Sequence, residues 1–358
     1  MTRILSIALM TLGDPGRLTG GYLYHRRMAN LAEIHNARIE FVSFPDRPFL
    51  LPALNARNVL RRARRSGARV IVLDSIAAGF LGPKLLLSSP DVPVVAILHQ
   101  PPGGIDHGRM RTSIQTGLDR LAYARCRRLI VASESLAHEL AAQGVSRERI
   151  DVVPPGRDMI GDTQRPAGDL RQGRRAAFLC VGNWVERKGI HSLLDAFARI
   201  PEAMGTLHLV GDDQVDSRYA ALLHARIGQL DLVDRVVVHG PLPSEQVAGL
   251  YRAADVFVLP SLREPYGTVY GEAMAAGLPV VGWHTGNLPY LAEDGREGLL
   301  ITPGDAPGLG TALELLARDE AWRRRLGEAA SRRAQERPTW AESAVLFFAA
   351  IRRALEEH

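Results

Sequence analysis

Leu259-Pro260-Ser261-Leu262-Arg263-Glu264-Pro265-Tyr266-Gly267-Thr268-Val269-Tyr270-Gly271-Glu272-Ala273-Met274-Ala275-Ala276-Gly277-Leu278-Pro279-Val280-Val281 carries a strand end, a loop, a helix and the next strand in one continuous run. The apolar run 256–260 stops at a proline. Pro265 and Gly267 then keep Glu264 in a loop, whereas Glu272 falls inside the helix that follows. Gly277 and Pro279 end that helix and admit the apolar strand 278–281. Strand, helix and strand in this order make a parallel βαβ unit.

The same alternation extends in both directions. In the second half the apolar runs are 177–181, 206–210, 236–239, 256–260 and 278–281; in the first they are 4–10, 38–43, 70–74, 92–98 and 129–133. Longer helical patterns separate them, and no short-period repeat is present. Residues 154–175, with Pro154-Pro155-Gly156 and Pro166-Ala167-Gly168, have a linker composition. The expected fold is therefore α/β, with a Rossmann-like domain over 1–160 and a second over 161–340. Open α/β sheets bind ligands at the carboxyl ends of their strands, so the expected site is a cleft shared by both sheets. Residues 341–358 read as a return helix with Ala344, Val345, Phe348, Ala349 and Ile351 on an apolar side, packed near the junction of the domains.

Composition excludes several classes. A hydrophobic share of 46% and a charged share of 23% are those of a globular protein, neither disordered nor fibrous. Two cysteines, Cys126 and Cys180, are too few for a disulfide framework and have no metal-motif company, which suits a cytoplasmic setting. Arg3 followed by an apolar run has the outline of a signal peptide, but the run ends at Gly13-Asp14-Pro15-Gly16 without a small-x-small cleavage site, so a first strand is expected. No later apolar stretch has the length to cross a bilayer.

Charge is unevenly distributed. Residues 1–160 carry 22 Lys and Arg against 13 Asp and Glu, net +9, and the remainder is net −4. The basic first half suits an anionic acceptor or an anionic membrane surface; a solvated arginine-rich face is the plainer alternative. No nucleic-acid partner is expected. The segment 57–65, Arg-Asn-Val-Leu-Arg-Arg-Ala-Arg-Arg, reads as a basic amphipathic helix able to lie on such a membrane. Of 44 basic residues only Lys84 and Lys188 are lysines, so a lysine here invites a functional question.

Lys188 answers it by position. The strand 177–181 runs into Gly182-Asn183-Trp184-Val185-Glu186-Arg187-Lys188-Gly189 and then into a helix, which sets Arg187 and Lys188 where a diphosphate would meet point charge and helix dipole together. Arg187 is equally readable as surface decoration. In the third motif the Gly267 and Thr268 amides, with Tyr266 in the same loop, open a helix and can cradle phosphate. Glu264 and Glu272 are expected on the order of 10 Å or more apart, given about 1.5 Å rise per helical residue. That is too far for the carboxylate pair of a retaining glycosidase, about 5 Å apart. They fit separate groups of one extended ligand; helix capping and solvation are the alternative roles. Earlier in the chain, Thr19-Gly20-Gly21 follows the first strand and opens a helix, an anion-binding arrangement or a plain turn. Without the full Gly-x-Gly-x-x-Gly spacing it is no ordinary dinucleotide site, which removes a dehydrogenase. His99, in Leu98-His99-Gln100-Pro101-Pro102-Gly103-Gly104, ends a strand where a substrate would be met, although a lone histidine also serves structure.

Together these residues resemble the retaining GT-B glycosyltransferases of family 4, also called group 1. The resemblance covers nearly the whole chain and is strongest over 250–305. There Tyr251-Arg252-Ala253-Ala254-Asp255-Val256-Phe257-Val258-Leu259-Pro260-Ser261 leads into Glu264-x7-Glu272, then Gly277-Leu278-Pro279-Val280-Val281, Gly298-Leu299-Leu300 and Pro303-Gly304-Asp305. The resemblance implies that Glu264 binds hydroxyls of the donor sugar, Glu272 the ribose and Lys188 the donor diphosphate. It implies that Gly20 and Gly21 form the glycine loop of the first domain, and that His99 approaches the transferred sugar. Two positions depart from the pattern. Asn183 stands where the family usually has arginine, so either Arg187 supplies that charge or phosphate is held less tightly. In Thr285-Gly286-Asn287-Leu288-Pro289-Tyr290, Asn287 and Tyr290 replace a second glycine and a frequent glutamate. The implied reaction moves a sugar from a nucleotide-sugar donor to an acceptor hydroxyl with retention, the leaving diphosphate taking the proton. No metal or other cofactor is expected, in keeping with the lack of a His-x3-His or Asp-x-Asp element. A non-catalytic nucleotide-sugar binder and a sugar-nucleotide epimerase remain alternatives.

Overall fold

Among the described residues twelve short runs rich in Val, Leu, Ile and Ala form strands, with helices between them. A computed structural model of the chain describes residues 4–16, 20–87, 91–105, 107–157 and 168–357. Thr19 and the middle of the expected linker, 158–167, lie outside the described residues. Two compact units result: Met1–Gly156 with Pro338–His358, and Arg157–Arg337.

In the first unit six parallel strands are β1 (Leu5–Leu12), β2 (Ala37–Phe44), β3 (Val70–Asp74), β4 (Val94–Leu98), β5 (Arg128–Val131) and β6 (Ile150–Val152), in the order β2-β1-β3-β4-β5-β6. Strand residues alternate between the faces of a sheet, and both faces here are apolar because both are covered. Ala8 and Met10 of β1 join Val59, Leu60 and Phe80 on one side; Ile7 and Leu9 join Tyr24, Met28, Phe347, Phe348 and Ile351 on the other.

The last helix, Trp340–Glu356, thus belongs to the first unit and helps cover the face that the helix Gly20–Asn30 also covers. It starts at a capping box made by Thr339 and Glu342. Its buried face is Ala344, Phe347, Phe348, Ala350, Ile351 and Ala354, and Val345 is 56% exposed. The expected apolar side included Val345. About 100° of helical rotation separates it from Ala344, and the spacing 344, 347, 348, 351 already fills the buried stripe. Near its end Arg353 pairs with Asp151, which also receives Arg128 at 2.5 Å, fastening the helix to β5 and β6.

In the second unit the strands are β7 (Ala176–Val181), β8 (Gly205–Val210), β9 (Val236–Gly240), β10 (Val256–Val258), β11 (Val280–Trp283) and β12 (Gly298–Ile301), all parallel, in the order β12-β11-β10-β7-β8-β9. Strand order reverses between β7 and β10 here, and between β1 and β3 in the first unit. Such reversals open a crevice at the carboxyl ends of the strands, because the flanking connections leave to opposite faces. Among the described residues no helix is long and apolar enough to cross a membrane.

Candidate functional site

The loops leaving β7 and β10 flank the reversal in the second sheet, and they hold each other. After β7 comes a single 3-10 turn, Glu186–Lys188, and then the helix Ile190–Arg199. Gly189 joins them at φ +68°, and any Cβ there would collide with the Pro260 carbonyl, so only glycine lets the loops approach. The Leu262 amide donates to the Arg187 carbonyl at 2.8 Å, the Ser261 hydroxyl donates to the same oxygen at 3.2 Å, and Arg187 Nη1 donates to the Arg263 carbonyl at 3.1 Å.

This cross-linking brings Lys188 and Glu264 together across 76 positions of sequence. Lys188 Nζ lies 2.5 Å from Glu264 Oε2, with Arg187 Nη1 3.8 Å from the same oxygen. The Lys188 and Glu264 side chains are only 10% and 15% exposed. A pair so removed from water gives up in desolvation much of what its attraction returns, so stability alone is a poor reason for it. Its chemistry is a charged donor and a charged acceptor held side by side, the ammonium with two further N–H bonds to give.

Glu264 leads into the helix Thr268–Ala275 through Gly267 at φ +79°. No side chain caps this helix, so its first amides point outward from the positive end of the dipole. Thr268 is exposed at that end. Glu272 lies one turn further along, exposed, and accepts a hydrogen bond from Tyr251 Oη at 3.1 Å. Burial, reinforced by Glu272, pushes the Tyr251 phenol well above its ordinary value and keeps it a donor. Tyr266 turns elsewhere. Its hydroxyl bonds Arg337, whose guanidinium stacks 5.1 Å from the ring centre and occupies the space a side chain at Gly271 would fill. The Asn287 side chain donates to the Tyr266 carbonyl at 2.6 Å and its amide to the Glu264 carbonyl at 3.1 Å. The loop 285–290, which the sequence left without contacts, therefore props the Glu264 loop from behind. Asn183 is exposed and meets the Asp212 amide only at 3.4 Å.

The first unit has its own cluster at the carboxyl ends of β3 and β4. His99 follows β4, and a Cβ at Gly21 would sit 3.2 Å from its Cδ2, so the glycine loop leaves the ring its space. Gly20 borders open space. Two residues that the sequence did not single out complete the cluster. Asp74, at the end of β3, accepts from Thr11 Oγ1 at 3.0 Å and lies 2.9 Å from His25 Nε2; the His25 and His99 ring centres are 5.0 Å apart. His25 and Asp74 are buried. Burial would raise Asp74, but the charge and hydrogen bond of His25, together with His99 and the Ile76 amide, hold it below the ordinary carboxylate range. Burial and His25 push His99 down to about 4, against a smaller opposing pull from Asp74. The nitrogens and carboxylate lie within 4.8 Å of one another. With Asp74 Oδ2 already accepting from Thr11 and bonded to His25, the group reads as a hydrogen-bonded cluster more than as a cation cage. Beyond His99, the loop 100–104 is tied down by Asp119, which accepts from the Gly103 amide at 2.9 Å and from Gln115 Nε2 at 2.7 Å. Burial raises its carboxyl to about 6 despite both bonds.

Two family models match successive parts of the chain: Glycosyltransferase Family 4 over residues 8–159 and Glycosyl transferases group 1 over 164–333. The chain is 33% identical over 211 residues to a mannosylfructose-phosphate synthase of Agrobacterium fabrum, covering 55% of this chain and 46% of that protein. It is 32% identical over 243 residues to a D-inositol 3-phosphate glycosyltransferase of Pseudarthrobacter chlorophenolicus, covering 64% and 57%. The matched part thus spans about half the length of these relatives. Among solved structures, a sucrose-phosphate synthase of Thermosynechococcus elongatus superposes with a TM-score of 0.80 at 23% identity, over 99% of this chain and 100% of that one. Anabaena HepE, in complex with UDP-glucose, superposes at 0.77 and 22%, over 97% and 99%. These likenesses carry the fold, and the models carry the kinship: the chain belongs to the group 1 glycosyltransferases of family 4, with the GT-B fold.

Proposed function

We propose that this protein is a retaining glycosyltransferase that moves a sugar from a nucleotide-sugar donor to an acceptor hydroxyl without a metal ion. The observation that carries the reading is the Lys188–Glu264 pair at 2.5 Å beside the uncapped helix start at Gly267. Lys188, Arg187 and the first amides of the helix Thr268–Ala275 would stabilise the charge that develops on a departing diphosphate, the largest catalytic term in such a site. Glu264 then takes hydroxyls of the donor sugar and Glu272 those of the ribose, and a sugar-contacting role is proposed for His99 in the first unit. Asn183, Tyr266, Gly267 and Thr268 shape the donor site of the second unit, and Gly20 and Gly21 are the glycine loop proposed for the first. Support for a nucleotide sugar comes from HepE, solved with UDP-glucose.

A panel of nucleotide sugars assayed by nucleotide release in EDTA tests this directly. Release that depends on an acceptor and is abolished by Lys188→Ala and by Glu264→Ala is the expected result. Turnover unchanged in both variants would remove the site, and an epimerised donor formed without acceptor would replace the reaction.

For the acceptor we propose a molecule presented at an anionic membrane surface facing the cytoplasm. The helix Ala56–Arg65 buries Ala56, Val59, Leu60 and Ala63 in the first unit and turns Arg57, Arg61, Arg62, Arg64 and Arg65 to solvent. Its apolar stripe is already used by the core, so the helix meets a bilayer through its arginines, not by immersing that stripe. Leu51 and Leu54 stand exposed on the preceding turn and supply the apolar contact. Each arginine near an anionic surface is worth about 1 kcal/mol. Sedimentation with anionic vesicles at low salt, weakened at high salt and absent with neutral vesicles, is expected; no binding at either salt would remove the membrane.

A further inference from the structure

Thr11, His25, Asp74 and His99 come from four elements: β1, the helix Gly20–Asn30, the end of β3 and the end of β4. Asp74 sits beside the strand reversal of the first sheet, and its carboxylate is fully engaged. Oδ2 accepts from Thr11 Oγ1 at 3.0 Å and faces His25 Nε2 at 2.9 Å, and Oδ1 accepts from the Ile76 amide at 3.3 Å. An ionised carboxylate only accepts, so the His25 proton on this side is carried by Nε2, which fixes the tautomer and the plane of the ring. The His25 ring in turn meets the His99 ring edge to face, at 5.0 Å and 63°. Tyr24, one position before His25 on the same helix, closes another side of His99 at 5.0 Å and 68°. Held between these two rings, His99 keeps a buried Nε2 with no hydrogen-bond partner among the described residues.

A buried imidazole nitrogen without a partner costs free energy unless something else bonds it. We propose that Asp74 and His25 are positioning residues for His99: Asp74 locks the His25 ring, and His25 and Tyr24 lock the plane of the His99 ring at the end of β4. This rests on the transferase reading given above. The groups facing His99 are His25, Asp74 and Tyr24, and burial with His25 depresses its protonation to about 4. At neutral pH it therefore meets the substrate as an uncharged hydrogen-bonding ring. No proton transfer to or from His25 or Asp74 is involved; both act only through geometry and field.

Three variants of the full chain test the proposal: Asp74→Asn, which keeps shape and removes charge; His25→Phe, which keeps ring volume and removes both nitrogens; and Thr11→Val, which removes one bond to Asp74 and leaves both histidines. The first readout is the imidazole resonances of His99 followed by NMR against pH, with no substrate present. The second is nucleotide release, resolved into kcat and KM, alongside nucleoside diphosphate affinity. In each folded variant the His99 resonances and titration midpoint should move, and His25→Phe should raise the midpoint, since the field of His25 is lost. Misplacing the ring should lower kcat on the order of tenfold to hundredfold. Diphosphate affinity should stay unchanged, because Lys188 lies in the other unit. His99 resonances and midpoint identical to the parent's in folded Asp74→Asn or Thr11→Val would overturn the proposal, as would an unaltered kcat. If the parent protein turns over no nucleotide sugar, the transferase reading falls, while the resonances still decide whether the pair positions His99.

Discussion

Lys188 shares its ammonium with Glu264, and this sharing makes the glutamate and the lysine separable by experiment. On the proposed function, a bare nucleoside diphosphate would need the lysine and compete with the carboxylate. Glu264→Ala should therefore bind a diphosphate as well as the parent does, or more tightly, while losing transfer. Lys188→Ala should weaken the same ligand at least about tenfold, the equivalent of 1.4 kcal/mol for one lost charge-assisted contact. Calorimetric titration with a nucleoside diphosphate measures both, and equal losses in the two variants would contradict the sharing. Asp119 offers a different test. Its carboxyl is raised from 3.8 to about 6 in the folded chain, so the folded state binds this proton more tightly than the unfolded one. The group favours folding below pH 4, and that contribution fades as the pH rises through 6, a span of about 3 kcal/mol. Asp119→Asn keeps both hydrogen bonds if the Gln115 amide turns over. It should match or exceed the parent's stability at pH 7 to 8, with the advantage gone near pH 4. Parallel stability curves for the two proteins, taken by denaturant titration across that range, would contradict the assignment.

Elements rather than single residues set the shape of the loop that carries Glu264. Between β10 and β11 the chain must turn sharply, start a helix and leave its first amides free, and Gly267 at φ +79° makes the turn. Any other residue there bears left-handed strain on the order of 1 to 2 kcal/mol and presses on Tyr270 and Leu291. Gly267→Ala should accordingly lower both the melting temperature and donor affinity. Gly271→Ala should act on the same helix from its other side by displacing Arg337, which releases Tyr266. These element boundaries were readable in the sequence because Pro265, Gly267, Gly277 and Pro279 act on neighbouring backbone. The partners of the loop were not. Arg337 reaches Tyr266 across 71 positions, and Asn287 meets Glu264 from beyond β11. The same limit hid Asp74 and His25: an aspartate ending an apolar strand and a histidine inside a helix have no spacing that announces a contact 49 residues apart. The position of His99 at a strand end was legible because it follows an apolar run; its neighbours in space were not.

The molecule is two units joined by two passages of the chain, after Gly156 and before Pro338. The first unit depends on the helix Trp340–Glu356 for one wall of its core. Phe347, Phe348 and Ile351 are fully buried there, and at about 2 kcal/mol each their burial amounts to roughly 6 kcal/mol. That is comparable with the whole stability of an ordinary domain. A chain stopped after Arg337 should lose the folded first unit and keep the second. Limited proteolysis should then digest residues 1–156 and spare 168–337, whereas an equally protected first unit would show the helix to be dispensable.

That shared wall also sets an order of events at the ribosome. Nascent domains ordinarily fold in the order in which they emerge. Here the unit that emerges first lacks the aromatic side chains that close its sheet until the whole of Arg157–Arg337 has been synthesised. The later unit has all its strands and its own core in one uninterrupted stretch and can finish earlier. The part of this apolar face that Phe347, Phe348 and Ile351 close must wait, with only the helix Gly20–Asn30 beside it, through the synthesis of some 180 residues, which makes it a natural landing place for a chaperone.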